Sequence, residues 1–321
     1  MTPSEIRKIT DWAASQTRPH TLYLSDTRHP EQPAFDAYAS DLARMAPGIR
    51  IVLSDRPRPI PAFFTADNIS FSTLPLDKEL APFLEALSFQ NHPPTLPDHV
   101  QAKLAQLSHP CHLTLFIAVQ CPHCPDMVRS LIPLAVHSKH IFLEIIDGSL
   151  FPQTARENQV MSVPCLILDQ DFRWTGHAAL NEILTQAIER DPSRLSAATF
   201  RQILEQGDAD WVCRQMIQAD TLFKGFMDLL LHPEWSVRLG AMVVVETLAQ
   251  EAPPLAARLC PVLVQAFENQ TVSVQGDILY ALGEAGDPAA RAWIEQIMPD
   301  LTHPDLVDAA RDALESIQDR V

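Results

Sequence analysis

The sequence predicts two α/β units in tandem, followed by an all-α repeat region. Residues 1–190 alternate strand-like and helix-like segments, and this order occurs twice: Leu22 and Ile51 of the first copy correspond to Thr114 and Leu143 of the second. From residue 195 onward only helical periodicity is present. Alternating strands and helices predict α/β folds, whereas an unbroken helical pattern predicts a separate all-α region.

The composition excludes several classes of function. The chain has 321 residues and a formal net charge of −16, and no Lys/Arg-rich run relieves that charge. We therefore expect no binding to nucleic acids or anionic membranes, because phosphate groups are repelled. None of the nine glycines lies in a G-x-G-x-x-G or G-x-x-x-x-G-K-[ST] pattern. A flavin or nicotinamide enzyme of the usual kind is thus not expected.

The predicted cellular location follows from two sequence signals that are not found, a secretory signal peptide and a membrane-spanning segment. No apolar segment follows a basic stretch at the start of the chain, and apolar runs such as 113–119 are too short to span a membrane. We expect a cytoplasmic protein whose cysteines stay reduced. A close pair of cysteines in such a chain points to catalysis or metal binding.

The two α/β units are predicted over residues 1–92 and 97–190. In the first we expect helices over 3–16, 34–45 and 78–88 and strands over 21–24, 49–53 and 62–65. In the second we expect helices over 98–107, 152–158 and 178–188, and a further helix that follows the first strand and ends near 136. The strands are expected over 112–119, 141–146 and 165–168. The proline-rich segment 91–97 between them predicts a stiff linker.

Residues 195–321 contain a different repeat. The segment 232–238 recurs loosely at 269–275 and 303–307, a spacing of about 34 to 37 residues, which is typical of an α-solenoid. Amphipathic helices are predicted after each copy, over 241–248, 278–282 and 309–317. The segment Leu282–Ala289 resembles the inter-helix turn of HEAT repeats of the phycobilisome-lyase type, so this resemblance implies a HEAT-like solenoid.

Cys121-Pro122-His123-Cys124 is the sharpest motif in the chain. It lies directly after an apolar strand and directly before a helix. Two intervening residues bring the sulfurs close enough to form a disulfide, and a helix N-terminus favours the attacking thiolate. We expect Pro122 in the first helical turn, where its missing N–H has no cost. His123 can add positive charge beside the first sulfur.

Alternatives to redox chemistry remain open at this motif. A zinc or iron–sulfur site normally takes four ligands. Cys111 and Cys165 could supply two more, although their spacing matches no common pattern. Cys165 is either a buried, inert residue or an auxiliary thiol.

Three segments carry a resemblance to known proteins: Cys121–Val128, Ile146–Gly148 and Val160–Pro164. On these, residues 1–190 resemble tandem thioredoxin-fold proteins, namely protein disulfide oxidoreductases and the N-terminal domain of the alkyl hydroperoxide reductase flavoprotein. The resemblance implies that Cys121 is the nucleophile and Cys124 the resolving thiol. It also implies that Pro164 is a cis-proline, with the backbone of Val163 pairing with substrate.

The first half lacks the redox pair. Its corresponding segment, Asp26–Pro30, contains no cysteine, although Ile60-Pro61 stands where a cis-proline is expected. We therefore expect the first half to keep the fold without the reaction.

The chain also departs from thioredoxins. The strand before the motif carries Thr114-Leu115 where a buried carboxylate is usual, so we expect Glu144 or water to handle the proton of Cys124. The Pro-His dipeptide is the one found in a periplasmic oxidase and is typical of a more oxidising pair.

The sequence thus predicts a cytosolic thiol–disulfide oxidoreductase with a Cys121–Cys124 disulfide and no other cofactor or metal. The expected partners are a disulfide-containing client, such as a peroxiredoxin, and a separate flavoprotein reductase, docked through the helical region. The alternative is a HEAT-repeat adaptor in which the two cysteines act as a redox switch and do not turn over.

Overall fold

The computed structural model describes residues 1–286 and 288–319. They fall into two compact units, Met1–Arg190 (unit 1) and the chain from Asp191 onward (unit 2). Asp287, within the segment predicted to be a HEAT-like turn, and the last two residues of the predicted region 195–321 lie outside the described residues.

Unit 1 contains seven helices and eight strands among the described residues. The helices are α1 (Pro3–Ser15), α2 (Gln32–Met45), α3 (Leu80–Ser88), α4 (Asp98–Leu104), α5 (Cys124–His137), α6 (Pro152–Glu157) and α7 (Leu180–Glu189). The strands are β1 (His20–Ser25), β2 (Ile49–Ser54), β3 (Phe63–Ala66), β4 (Ile69–Ser72), β5 (Cys111–Ile117), β6 (Ile141–Asp147), β7 (Cys165–Leu168) and β8 (Phe172–Thr175).

The two halves of unit 1 share one mixed sheet, with strand order β2-β1-β3-β4-β6-β5-β7-β8. The halves join where β4 pairs in parallel with β6, with Ile69 opposite Leu143. The predicted linker, residues 91–97, thus lies in the chain between two halves that share one sheet. Strands β4 and β8, which the sequence patterns did not predict, are the second strands of the two hairpins.

A side-chain amide strengthens the junction between the halves. Asn68, just before β4, donates from Nδ2 to the carbonyl oxygens of Ala135 and Ile141 at 2.8 and 2.7 Å, and to that of Ser138 at 3.3 Å. All three carbonyls belong to the end of α5 and the turn into β6. The first half therefore holds the element that follows the cysteine motif.

The sheet positions the motif through its central parallel pair. Strands β5 and β6 run side by side, and the last pair in their register is Ile117 with Asp147. Their apolar side chains are buried, for example Leu115 and Ile145 at 1% exposure or less. Loops after the carboxyl ends of parallel strands meet at one edge of a sheet, so the loop after β5 lies beside the end of β6.

Unit 2 is helical throughout its described residues. Its helices are α8 (Ala197–Glu205), α9 (Ala209–Ala219), α10 (Lys224–Leu230), α11 (Trp235–Glu251), α12 (Pro253–Ala256), α13 (Leu259–Ala266), α14 (Val272–Ala285), α15 (Pro288–Ile297) and α16 (Pro304–Asp319). Helices α11, α14 and α16 extend the three helices predicted from the repeat and begin within the recurring segments.

A buried arginine connects two of these helices. Arg238 of α11 has no exposed surface, and its guanidinium contacts Asp277 Oδ2 and Ser273 Oγ of α14 at 2.5 and 2.7 Å. The same group donates to the carbonyls of His232 and Pro233. A buried cation needs such partners, because leaving it unpaired is strongly unfavourable. Across the described residues, none of the helices combines the length and apolar character needed to cross a bilayer.

Candidate active site: a dithiol at the end of a central strand

The two cysteines of the motif lie in different local environments. Cys121 is half-buried in the loop after β5, and Cys124 is buried as the first residue of α5. The expectation that Pro122 occupies the first helical turn is wrong, because the helix begins only at the fourth residue of the motif and its early proline is Pro125. All six cysteines are free thiols in this structure.

The sulfur of Cys121 faces the loop before β7. Its thiol donates to the carbonyl oxygen of Val163 over 3.8 Å, and the Val163–Pro164 peptide bond is cis. The loop residues singled out in the sequence and the first motif cysteine are therefore adjacent. The first half lacks this feature, since Ile60–Pro61 is not among the cis peptide bonds of the described residues.

The thiol of Cys124 is strongly protected from ionisation. Burial raises its pKa most, and its interactions with Cys121 and with the carboxylate of Glu79 raise it further. A backbone hydrogen bond involving Ala118 acts in the opposite direction. Cys124 therefore needs a nearby proton acceptor before its sulfur can attack.

Glu79 is the group that sequence reasoning missed. It is 3% exposed at the start of α3, and its Oε1 has no hydrogen-bond partner among the described residues. Burial raises the pKa of its carboxyl to about 8, opposed by Arg129 and assisted by the negative charge of Asp147. A carboxyl with a pKa close to neutral is suited to exchange protons.

Neighbouring contacts hold this region of α3 against the motif. Lys78 donates from Nζ to the carbonyl oxygen of Gln120 at 3.0 Å, one residue before the first cysteine. Arg129 of α5 contacts both carboxylate oxygens of Glu85 of α3 at 2.9 and 3.0 Å. The guanidinium is therefore already paired, so it offsets only part of the unfavourable burial of Glu79.

Glu144, the carboxylate considered from the sequence, has a different partner. It lies opposite Thr114 in the sheet and forms an ion pair with Arg58. Both line a cavity of about 320 Å³ that neither motif cysteine lines. Of the carboxylates of Glu79 and Glu144, that of Glu79 is the one whose negative charge raises the pKa of the Cys124 thiol.

The remaining site residues named from the sequence are placed as follows. His123 is exposed and immediately precedes α5, with no capping hydrogen bond from its side chain. Cys165 is 1% exposed at the start of β7, and burial raises the pKa of its thiol. Within the described residues, no three His, Cys, Asp or Glu side chains cluster as metal ligands would.

A cavity of about 360 Å³ opens beside the motif. Met127 and Pro164 give it apolar walls, and two imidazoles, those of His123 and His177, border it. His177 follows β8 closely in the chain and had no sequence pattern to single it out. The cavity is large enough for a side chain of a partner polypeptide.

Comparison with known proteins agrees with this geometry. Residues 112–189, which include the motif and the cis-proline, match the family model described as a thioredoxin domain. This segment is a thioredoxin-like domain. The alkyl hydroperoxide reductase protein AhpF of Pseudomonas aeruginosa is 28% identical over 144 residues, covering 43% of this chain and 28% of that protein. The chain therefore spans less than a third of that relative's length.

Two further comparisons concern the fold of unit 1. The N-terminal domain of alkyl hydroperoxide reductase AhpF from Enterococcus faecalis superposes with a TM-score of 0.50 at 21% identity, covering 58% of this chain and 99% of that one. A protein disulfide oxidoreductase from Aeropyrum pernix gives a TM-score of 0.52 at 15% identity, with 61% and 95% covered. Unit 1 therefore shares the fold of these two structures.

Proposed function

We propose that the protein is a thiol–disulfide oxidoreductase in which Cys121 is the nucleophile and Cys124 the resolving thiol. The observation that carries this proposal is the arrangement of the two sulfurs. The half-buried one faces the Val163 carbonyl beside a cis-proline, and the pKa of the buried one is raised by burial, by Cys121 and by the charge of Glu79. The thioredoxin-like fold and its relatives support the general class of reaction.

The proposed cycle is balanced without a bound cofactor. The Cys121 thiolate attacks a client disulfide, forming a mixed disulfide and releasing one client thiolate. Cys124 gives its proton to Glu79 and attacks the Cys121 sulfur. This closes the Cys121–Cys124 disulfide and frees the second client thiolate. A two-electron donor, proposed to be a separate flavoprotein reductase, then restores the dithiol.

A proton acceptor from the other half of unit 1 is central to this cycle. Glu79 has a pKa of about 8, so a substantial fraction of its carboxyl is ionised at slightly alkaline pH. Its charge raises the pKa of the Cys124 thiol before resolution and can take up the proton during it. Glu79 therefore has the role that the sequence expectation assigned to Glu144 or water.

The client is proposed to be a disulfide-containing protein such as a peroxiredoxin, as the sequence resemblance implies. The backbone around Val163 and the cavity beside Pro164 are where an extended segment of that client would lie. Unit 2 is proposed to be a HEAT-like docking region. In support, Arg238 and its partners connect α11 and α14 of successive predicted repeats.

The experiment that tests the proposal is multiple-turnover reduction of insulin with dithiothreitol as donor. We expect turnover by the wild type and none by Cys121→Ser. Cys124→Ser should accumulate a mixed disulfide with insulin at Cys121. Turnover that persists in Cys121→Ser would refute the proposal. A single stoichiometric oxidation without cycling would favour a switch.

A further inference from the structure

Unit 2 presents an apolar stripe that stays exposed among the described residues. On α11, Trp235, Leu239 and Val243 are 60%, 49% and 44% exposed, although residues with side chains this apolar are usually buried. They recur every four residues, so they lie along one face of the helix. On α14, Val272 and Tyr280 are 39% and 44% exposed with a similar spacing.

The two rows form one surface because the helices lie side by side. Arg238 of α11 contacts Ser273 and Asp277 of α14, and Tyr280 donates from its hydroxyl to Glu246 of α11 at 2.7 Å. Early residues of one helix therefore meet early residues of the other, and later residues meet later ones. The helices run in the same direction, with the apolar rows beside each other.

Gly276 leaves open space in this surface. It lies in the row of α14, four residues from both Val272 and Tyr280, and a Cβ built there meets no atom within 4 Å. By contrast, a Cβ at Gly283 of the same helix would lie 2.9 Å from Ala313 Cα. Packing within unit 2 thus accounts for Gly283 but not for Gly276, where a mid-helix glycine lowers helix stability. The gap leaves room for a side chain from outside.

Carboxylates border the C-terminal end of the stripe. Glu246 accepts the Tyr280 hydroxyl, while Glu284 and Asp312 line a cavity of about 230 Å³ together with Tyr280. Two nearby arginines are engaged with other carboxylates: Arg238 of α11 is buried against Asp277, and Arg311 of α16 pairs with Asp308. A partner that covers this surface gains from positive charge beside its apolar side chains.

We propose that this stripe, formed by α11 and α14, docks a basic amphipathic helix of a partner protein. A helix laid in the groove between two parallel helices would place its apolar face on Trp235, Leu239 and Val243 and one side chain over Gly276. Its lysine or arginine side chains would reach Glu246 and Asp312. The proposal concerns unit 2 alone and does not depend on turnover by the dithiol.

The test uses two synthetic helical peptides of roughly five turns that share a leucine face. One carries lysine on its polar face and the other glutamate. Fluorescence anisotropy should detect binding of the lysine peptide to the full chain, weakening as salt is added. Equal binding of the glutamate peptide, or no binding of either, would overturn the proposal.

Matched variants locate the site. Leu239→Ser with Val243→Ser should weaken lysine-peptide binding by about tenfold or more, since each change removes buried apolar area. Leu53→Ser with Val262→Ser removes the same residue types from exposed positions elsewhere, at 68% and 44% exposure, and should leave affinity within about twofold. Equal losses in both pairs would refute the assignment.

The variant Gly276→Leu shows whether a loss of peptide binding comes from a filled groove or from an unfolded unit 2. Leucine is a better helix former than glycine, and the space at Gly276 accommodates it, so α14 should become more stable while the groove is filled. Unchanged peptide affinity in this variant would contradict the proposed position. Sedimentation tests whether the stripe instead binds a second copy of this chain. If the wild type is a dimer and Leu239→Ser with Val243→Ser makes it a monomer, the stripe is a dimer interface and the proposal is overturned.

Discussion

The negative charge of Glu79 adds to burial and to Cys121 in raising the pKa of the Cys124 thiol, although the two residues belong to different halves of unit 1. Glu79 lies at the start of α3 in the half without cysteines, and Cys124 begins α5 in the other. Contacts between these helices, including the Arg129–Glu85 pair, keep the two groups together. The half that lacks the cysteine pair therefore contributes to the electrostatic environment of Cys124.

The first prediction concerns resolution of the mixed disulfide. Glu79→Gln removes the proton acceptor while keeping the shape, so we expect the resolving step to slow by roughly tenfold to a hundredfold. In the wild type the rate should rise as pH increases through about 8, where Glu79 ionises, and this rise should disappear in the variant. Stopped-flow release of the client thiol from a preformed mixed disulfide measures both.

Glu144→Gln is the matched control for that experiment. Glu144 pairs with Arg58 at a cavity that neither motif cysteine lines, so its loss should leave the pH profile of resolution unchanged. A profile altered by Glu144→Gln and not by Glu79→Gln would restore the assignment made from the sequence.

The same carboxyl makes folding stability depend on pH. Its pKa is about 8 in the folded state, above the ordinary value of 4.5, so the folded chain binds this proton more tightly than the unfolded chain does. The contribution is fully present below pH 4.5 and is lost as pH rises through about 8, with a slope of roughly 1.4 kcal/mol per pH unit at most. Denaturant titrations of the reduced protein at several pH values should show this decline, and Glu79→Gln should flatten it. An equal decline in that variant would contradict the assignment.

The junction between the halves is predicted to depend on Asn68. Asn68→Ala leaves the carbonyls of Ala135, Ser138 and Ile141 without their side-chain donor, which we expect to cost about 1 to 3 kcal/mol in the free energy of unfolding of unit 1. Asn91→Ala is the control, because the side chain of Asn91 makes longer contacts of 3.3 Å, to Pro19 and His20. Chemical denaturation should separate the two variants, and similar losses would argue against a special role for Asn68.

In unit 2 the buried Arg238 is predicted to matter far more than an exposed arginine. Arg238→Met leaves Asp277 unpaired, and we expect a loss of about 3 to 5 kcal/mol. Arg258→Met breaks a pair with Asp220 in which both side chains are at least half exposed, so we expect about 1 kcal/mol or less. Thermal unfolding followed by circular dichroism measures the difference, which the proposed repeat packing requires.

Local patterns were enough to locate most elements of unit 1 but not their assembly. Strands such as β5 and β6 are seven residues long and mostly buried, and the sequence placed both within two residues of their ends. Strands β4 and β8 were not predicted; each has four residues and is the second strand of a hairpin whose first strand was predicted. The pairing of β4 with β6 was unpredictable: it depends on which sheet edges meet, and no local pattern encodes that.

The residues of the candidate site also fall into those that local sequence patterns reveal and those that only the folded structure reveals. Cys121, Cys124 and Pro164 stand in recognisable motifs, so they could be named from the sequence. Glu79 stands one residue before an apolar helix, where a carboxylate is ordinarily solvated, and nothing in its neighbours along the chain indicates burial. Only packing of α3 against α5 reveals it, which is why Glu144, already on a predicted strand near the motif, was the carboxylate chosen from the sequence.

The pairing of β4 with β6 has a consequence for how such a chain can change over evolutionary time. Because the first half supplies the strand that covers one edge of β6 and also carries Glu79, it cannot be deleted without changing the other half. Removing residues 1–92 would expose the edge of β6 and withdraw Glu79 in one event. The half without cysteines is therefore tied to the other by the sheet that they share, and we expect its loss to destabilise the half that carries the motif.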